Sequence, residues 1–178
     1  AAEMIEQVDP THVRFGLRRG IGWTNGFGEL TAEDVKYSYE RIADPEFKAV
    51  YHLDWAALDR VEVTEPYAGT IVLKEPFAPL WNTSLPYGSG AIVCKAAVEQ
   101  LAEKRFTTDI PAQCGPYLLQ SWTPKQRTVL VRNPDWTGPR PYYDEIQIFP
   151  IQDFKAAEIA FEAGDLLPTS TGAMVPVV

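Results

Sequence analysis

LTAEDVKYSYERIADP, Leu30–Pro45, has both the start and the stop of one helix written into it. Thr31 is a natural N-cap, and Asp34, three residues on, is placed to reach back to the cap's own N–H, a capping box with Asp in place of Glu. Leu30 just before the cap and Val35 inside the helix form a hydrophobic staple pair, and Glu33 and Asp34 put negative charge at the positive end of the helix dipole. Asp44-Pro45 ends it, because the residue before a proline is driven out of the helical region. Val35, Tyr39 and Ile42 share one face by their spacing, so the helix packs on a partner.

Upstream, His12 to Leu17 alternates Val13, Phe15 and Leu17 with Arg14 and Gly16, the period of a half-buried strand. A loop containing Gly20, Gly22, Asn25-Gly26 and Gly28 follows. Its glycine spacing matches neither the dinucleotide fingerprint nor the P-loop. Downstream, HLDWAALDRV (residues 52–61) predicts a short helix. RVEVTEP and TIVLKEP predict an antiparallel hairpin turning at Glu65–Gly69, with one face buried and one wet. PLWNTSLPYG predicts a helix before Pro86, GAIVC a short buried strand, and KAAVEQLAEKRF a helix with Ala97, Val98 and Leu101 inward. Beyond Pro111 come YLLQSW and RTVLVRN as strand–turn–strand, then EIQIFPI and a helix from Asp153 to Ala163. The order predicts a mixed α/β (α+β) chain of antiparallel hairpins and short helices.

Composition limits the function classes. With 46% hydrophobic residues and no long apolar run, the chain can build a core and does not read as membrane-spanning. A net charge of −8, with Arg18-Arg19 as an isolated basic pair, argues against nucleic-acid binding. AAEMIEQVDP has no leader-peptide pattern. Ser89 sits in Gly-Ser-Gly rather than a nucleophile elbow with no base nominated beside it, and His12 and His52 read as packing or surface residues rather than general bases. The spacing of two Cys and two His suits no zinc site, and no cofactor motif is present. An acid–base carboxylate pair of glycoside-hydrolase type stays open, since sequence does not give carboxylate separations.

The run FGLRRGIGWTNGFGELTAEDVKYSYERIADP resembles the signature of the extracytoplasmic solute-binding proteins of ABC importers, peptide/nickel class, family 5. RVEVTEPYAGTIVLKEPFAPL, AIVCKAAVEQL, CGPYLLQSWTPKQRTVLVRNPDW and DEIQIFPIQDFKAAEIAFEAGDL follow that family's pattern in order, so the likeness covers Phe15 to Asp165. Cys114 after Gln113, Asn133-Pro134-Asp135-Trp136 without a Tyr, and the extra Gly28 depart from it. The tail LLPTSTGAMVPVV leaves the pattern and is expected to be irregular.

The resemblance implies a two-lobed periplasmic-binding-protein fold of type II, of which 178 residues are a piece, since such chains are roughly three times longer. It implies a small packing domain over residues 1–94, part of the split ligand-binding lobe over 95–178, and a boundary between 94 and 112. It also implies a periplasmic or extracytoplasmic location, a peptide or similar small ligand, an ABC transporter permease as partner, no cofactor and no catalysis. An oligosaccharide ligand is the alternative within the class. Peptide binders of this kind place a tyrosine shortly after the Asp-Pro, and Tyr51 holds that position here, either lining the cleft or wedged beneath the hairpin. Tyr87 in LPYGSG is the second candidate. Cys94 and Cys114 either bridge, as an extracytoplasmic compartment permits, or remain two buried thiols.

Overall fold

The helix punctuated in the sequence forms as α1, Ala32–Ala43, in the computed structural model of the chain. The Thr31 N–H donates to Asp34 Oδ2 at 2.9 Å, and Leu30 and Val35 are both buried beneath the first turn. The structure describes residues 1–106, 110–169 and 172–177, with the backbone alone at 168, 169 and 172–177. It divides into two units, Ala1–Phe106 with Pro111–Gln113, and Thr107–Ile110 with Cys114–Val178.

The first unit is built on an antiparallel sheet of β1 (Ala2–Asp9), β2 (His12–Leu17), β3 (Leu58–Glu65) and β4 (Ala68–Leu73), in the order β1-β2-β4-β3. Alternation in β2 buries Val13, Phe15 and Leu17, and Val61, Ile71 and Leu73 are buried with them. Phe15 pairs with Gly69, where a Cβ would stand 2.6 Å from the Phe15 ring, so only glycine admits that ring. Helix α1 packs on β3, and the turn between β3 and β4 holds the helix start through the Ala32 N–H on Pro66 O at 2.8 Å. Trp55, Leu30, Leu80, Val98 and Tyr39 complete the core.

Several local expectations are corrected. AAEMIEQVDP, in which no element is read from the sequence, contains the edge strand β1, exposed along its whole length and paired only through β2. The segment 52–61 is helical only over a 3-10 turn, His52–Trp55, because ladder pairing with β4 takes the chain from Leu58. GAIVC is no strand: Gly88–Gly90 is a 3-10 turn, and the Val93 N–H is satisfied by Ser38 Oγ at 2.9 Å instead of by a neighbouring strand. The helix expected across residues 95–106 stops early as α2, Lys95–Glu99. Arg41 Nη2 then donates to Lys104 O at 2.6 Å, and Arg105 donates to Phe47 O, so tertiary bonds tie the following residues to the end of α1.

The second unit holds β5 (Tyr117–Thr123), β6 (Arg127–Arg132), β7 (Glu145–Phe149), helix α3 (Phe154–Glu162), β8 (Leu167–Thr169) and β9 (Gly172–Val177). Its antiparallel sheet runs β5-β6-β7-β9-β8. Helix α3 forms where the sequence places it, and its start is capped by Asp153, whose Oδ1 accepts the Ala156 N–H at 2.8 Å. The tail is not irregular where it is described: β9 pairs with β7 from Glu145↔Val177 to Phe149↔Ala173 and with β8 beside it. Ladder partners supplied by β7 override a poor local pattern. Residues 170, 171 and 178 of that tail lie outside the described residues.

Candidate ligand-binding site

Three short turns, at His52–Trp55, Leu80–Ser84 and Gly88–Gly90, meet over the end of α1 that carries Tyr39. Their backbones have few partners of their own, so side chains and carbonyls lock them. Trp55 is the post: its ring stacks on Tyr39 with centroids 4.1 Å apart, and its Nε1–H donates to Ser89 O at 2.8 Å. The fully buried Ser84 donates from Oγ to Asp54 O at 2.5 Å, and Ser89 Oγ donates to Ser84 O at 3.1 Å. Burial pushes the Tyr39 phenol up to about 12, so it is neutral across the physiological range and serves packing.

On this frame sit the two residues singled out in the sequence. Tyr51, at the entrance to the first turn, is 53% exposed, and Tyr87, at the entrance to the third, is 70% exposed. The structure brings their segments together, for a Cβ built on Gly88 would lie 3.6 Å from Tyr51 Cε2 and 3.8 Å from its hydroxyl. Tyr51 therefore lies against Gly88. Val50, Leu53 and Trp81, which the sequence reading did not nominate, are exposed on the same turns. The signal for them was available: apolar side chains recur in turns too short to bury them all. The arrangement offers flat aromatic and aliphatic surface on rigid backbone, suited to holding a ligand by shape and contact.

The residues weighed for catalysis lie elsewhere in the chemistry. Ser89 is buried and its hydroxyl is used on Ser84 O, while His12 Nδ1 lies 3.0 Å from the Asp9 carboxylate in the turn between β1 and β2. His52 is half-buried in the first turn. Among the described residues, no cluster of three or more His, Cys, Asp or Glu is placed to hold a metal. Cys94 and Cys114 are separate thiols in this structure, one buried at the start of α2 and the other half-buried at the opening of the second unit. Burial pushes the Cys94 thiol up, against the backbone N–H groups of Ala97 and Ala96. Among the described residues, no helix is long and apolar enough to cross a membrane.

Known proteins resemble this chain in sequence and fold. The chain is 28% identical over 155 residues to the oligopeptide-binding protein AppA of Bacillus subtilis, covering 84% of this chain and 28% of that one. It is 25% identical over 183 residues to the periplasmic oligopeptide-binding protein OppA of Salmonella typhimurium, covering 93% of this chain and 33% of that one. The solved structure of the Bacillus subtilis AppA in complex with a nonapeptide matches with a TM-score of 0.78 at 28% identity, over 92% of this chain and 33% of that one. NikA from Brucella suis, solved with Fe(III)-EDTA, matches with a TM-score of 0.70 at 28% identity, over 93% and 34%. The chain thus spans about a third of the length of these relatives. The family model for bacterial extracellular solute-binding proteins, family 5 Middle, matches residues 1–173, and the chain belongs to that family.

Proposed function

We propose that this chain contributes one face of the ligand site of an extracytoplasmic solute-binding protein, which captures peptides or similar small solutes and hands them to the permease of an ABC importer. The observation that carries the reading is the pairing of Tyr51 with the Tyr87–Gly88 segment as exposed aromatics on a buried frame. The packing domain spans residues 1–94 and part of the ligand-binding lobe residues 95–178, with the boundary between 94 and 112. The protein binds and does not catalyse, in keeping with relatives named as binding proteins. Ligand is held between two lobes, stabilises the closed state by its greater affinity for it, and the closed form docks on the permease outside the cytoplasmic membrane.

A sugar-derived ligand is the second reading, because the chain is 27% identical to MoaA, solved in complex with mannopinic acid, and flat aromatic surface suits a sugar ring as well as a peptide side chain. The test is thermal unfolding of this chain, and of a polypeptide extended to the length of the relatives, against peptides, oligosaccharides and nickel chelates. Stabilisation of the longer chain alone supports a site shared with residues beyond this segment, and the responding panel names the ligand. Stabilisation of both by the same ligand places the whole site within the 178 residues and overturns the shared-site reading.

A further inference from the structure

Helix α3, Phe154–Glu162, is apolar over most of its surface, and yet none of its residues is buried. With about 100° of rotation per residue, Ile159, Ala156, Ala160, Ala157, Phe161 and Phe154 follow one another around about 220° of its circumference, and Glu158, Glu162 and Lys155 share the strip that remains. A helix on the surface of a domain needs an apolar stripe of about 100°, and one that is apolar on nearly every side belongs in an interior. Phe154 is 92% exposed, Ile159 57% and Phe161 50%; within the helix only the small Ala157 and Ala160, which lie between them on the arc, are half-buried. The described residues therefore cover at most a line along α3 and leave both flanks of its apolar arc bare. Nine residues hold a helix poorly in water by themselves, so the order of α3 depends on what packs against it.

The size of the helix decides what covers it. Nine residues make a cylinder about 13 Å long and about 10 Å across, whose face supplies only a fraction of the about 800 Å² per partner that a stable interface between separate chains buries. A second copy or a separate protein seated there would bear the entropy cost of association for too little contact. A segment of the same polypeptide is already tethered and meets no such cost. Helix α3 lies inside residues 1–173, the stretch that matches the family model, and the relatives are about three times as long as this chain. We propose that α3 is a docking helix for the rest of its own polypeptide, which closes over Ile159 on one flank and over Phe154 and Phe161 on the other and makes α3 an interior helix in a chain of the relatives' length. The docking surface uses neither Tyr51 nor Tyr87 and requires no ligand, so it stands apart from the site proposed above.

The experiment compares amide hydrogen exchange across residues 154–162, read by mass spectrometry without ligand, in the 178-residue chain and in the polypeptide extended to the length of the relatives. Protection in the longer chain at least about a hundredfold above that in the shorter is expected. Phe161→Asp should lower protection in the longer chain about tenfold or more and change it in the shorter by less than about threefold, while Glu162→Gln on the polar strip should alter neither. The wild-type comparison stands alone should Phe161→Asp fail to fold in the longer chain. Protection in the 178-residue chain that rises with its concentration would assign the face to a second copy and overturn the proposal. Equal protection in both lengths at low concentration, or an α3 as open to exchange in the longer chain as in the shorter, would overturn it as well. None of these outcomes bears on Tyr51 and Tyr87.

Discussion

Asp34 Oδ1 accepts the backbone N–H of Lys95 at 2.8 Å, joining the first turn of α1 to the first turn of α2 across 61 residues of chain. Its other oxygen takes the Thr31 N–H at 2.9 Å and the Trp23 indole N–H at 3.3 Å. One buried carboxylate thus satisfies the helix cap, the glycine-rich loop and the start of the second helix.

Asp34→Ala would orphan these donors together, and a loss of about 3 kcal/mol of unfolding free energy is expected. Urea unfolding checks it. The neighbouring Glu33→Ala removes an exposed pairing with Lys95 at 3.4 Å and one charge at the helix start, and should change stability by less than about 1 kcal/mol.

Gly90 closes the third turn so tightly that a Cβ there would lie 2.7 Å from Ser84 O. Gly90→Ala must force the 84–90 loop open against its own Ser84 and Leu85 backbone, and a cost of about 2–4 kcal/mol is expected. Tyr87 rides on that loop, so the variant should also weaken ligand binding in the longer protein, an effect readable by calorimetry at a temperature where the fold persists.

The turn between β1 and β2 carries a pH signature. Asp9 accepts the Thr11 N–H at 2.8 Å and lies 3.0 Å from His12 Nδ1, and these contacts, the Thr11 backbone first and the His12 side chain next, lower its carboxyl from 3.8 to about 2. A group depressed in the folded state stabilises it above its ordinary value and stops doing so as the pH falls through the depressed one. Hydrogen exchange at Thr11 and His12 should therefore lose its Asp9-dependent protection between pH 4 and 2, and Asp9→Asn should flatten that dependence.

Helix α1 was legible to the residue because its signals are local: a cap, a staple and an Asp-Pro stop. Strand β2 was legible by its alternation. By contrast, β1 shows no buried face, since it is exposed throughout and exists through its ladder with β2. The early end of α2 depends on Arg41 reaching in to Lys104 O and on Arg105 reaching out to Phe47 O, distant partners that no window around Leu101 contains. Tyr51 and Tyr87 were nominated by family likeness and by loop position. Their proximity was not readable, because it rests on Ser84, Ser89 and Trp55 locking three turns together.

The most direct test of the account is ligand affinity of the polypeptide extended to the length of its relatives, measured with and without Tyr51→Ala and Tyr87→Ala. Both side chains are largely exposed, so the fold should be unaffected while each variant loses about 1–2 kcal/mol of binding, roughly five- to thirtyfold in Kd. The wild type should gain about 2.7 kcal/mol of stability with ligand at a hundred times Kd. Unchanged affinity in both variants would contradict the placement of the site on these turns and, with it, the central claim.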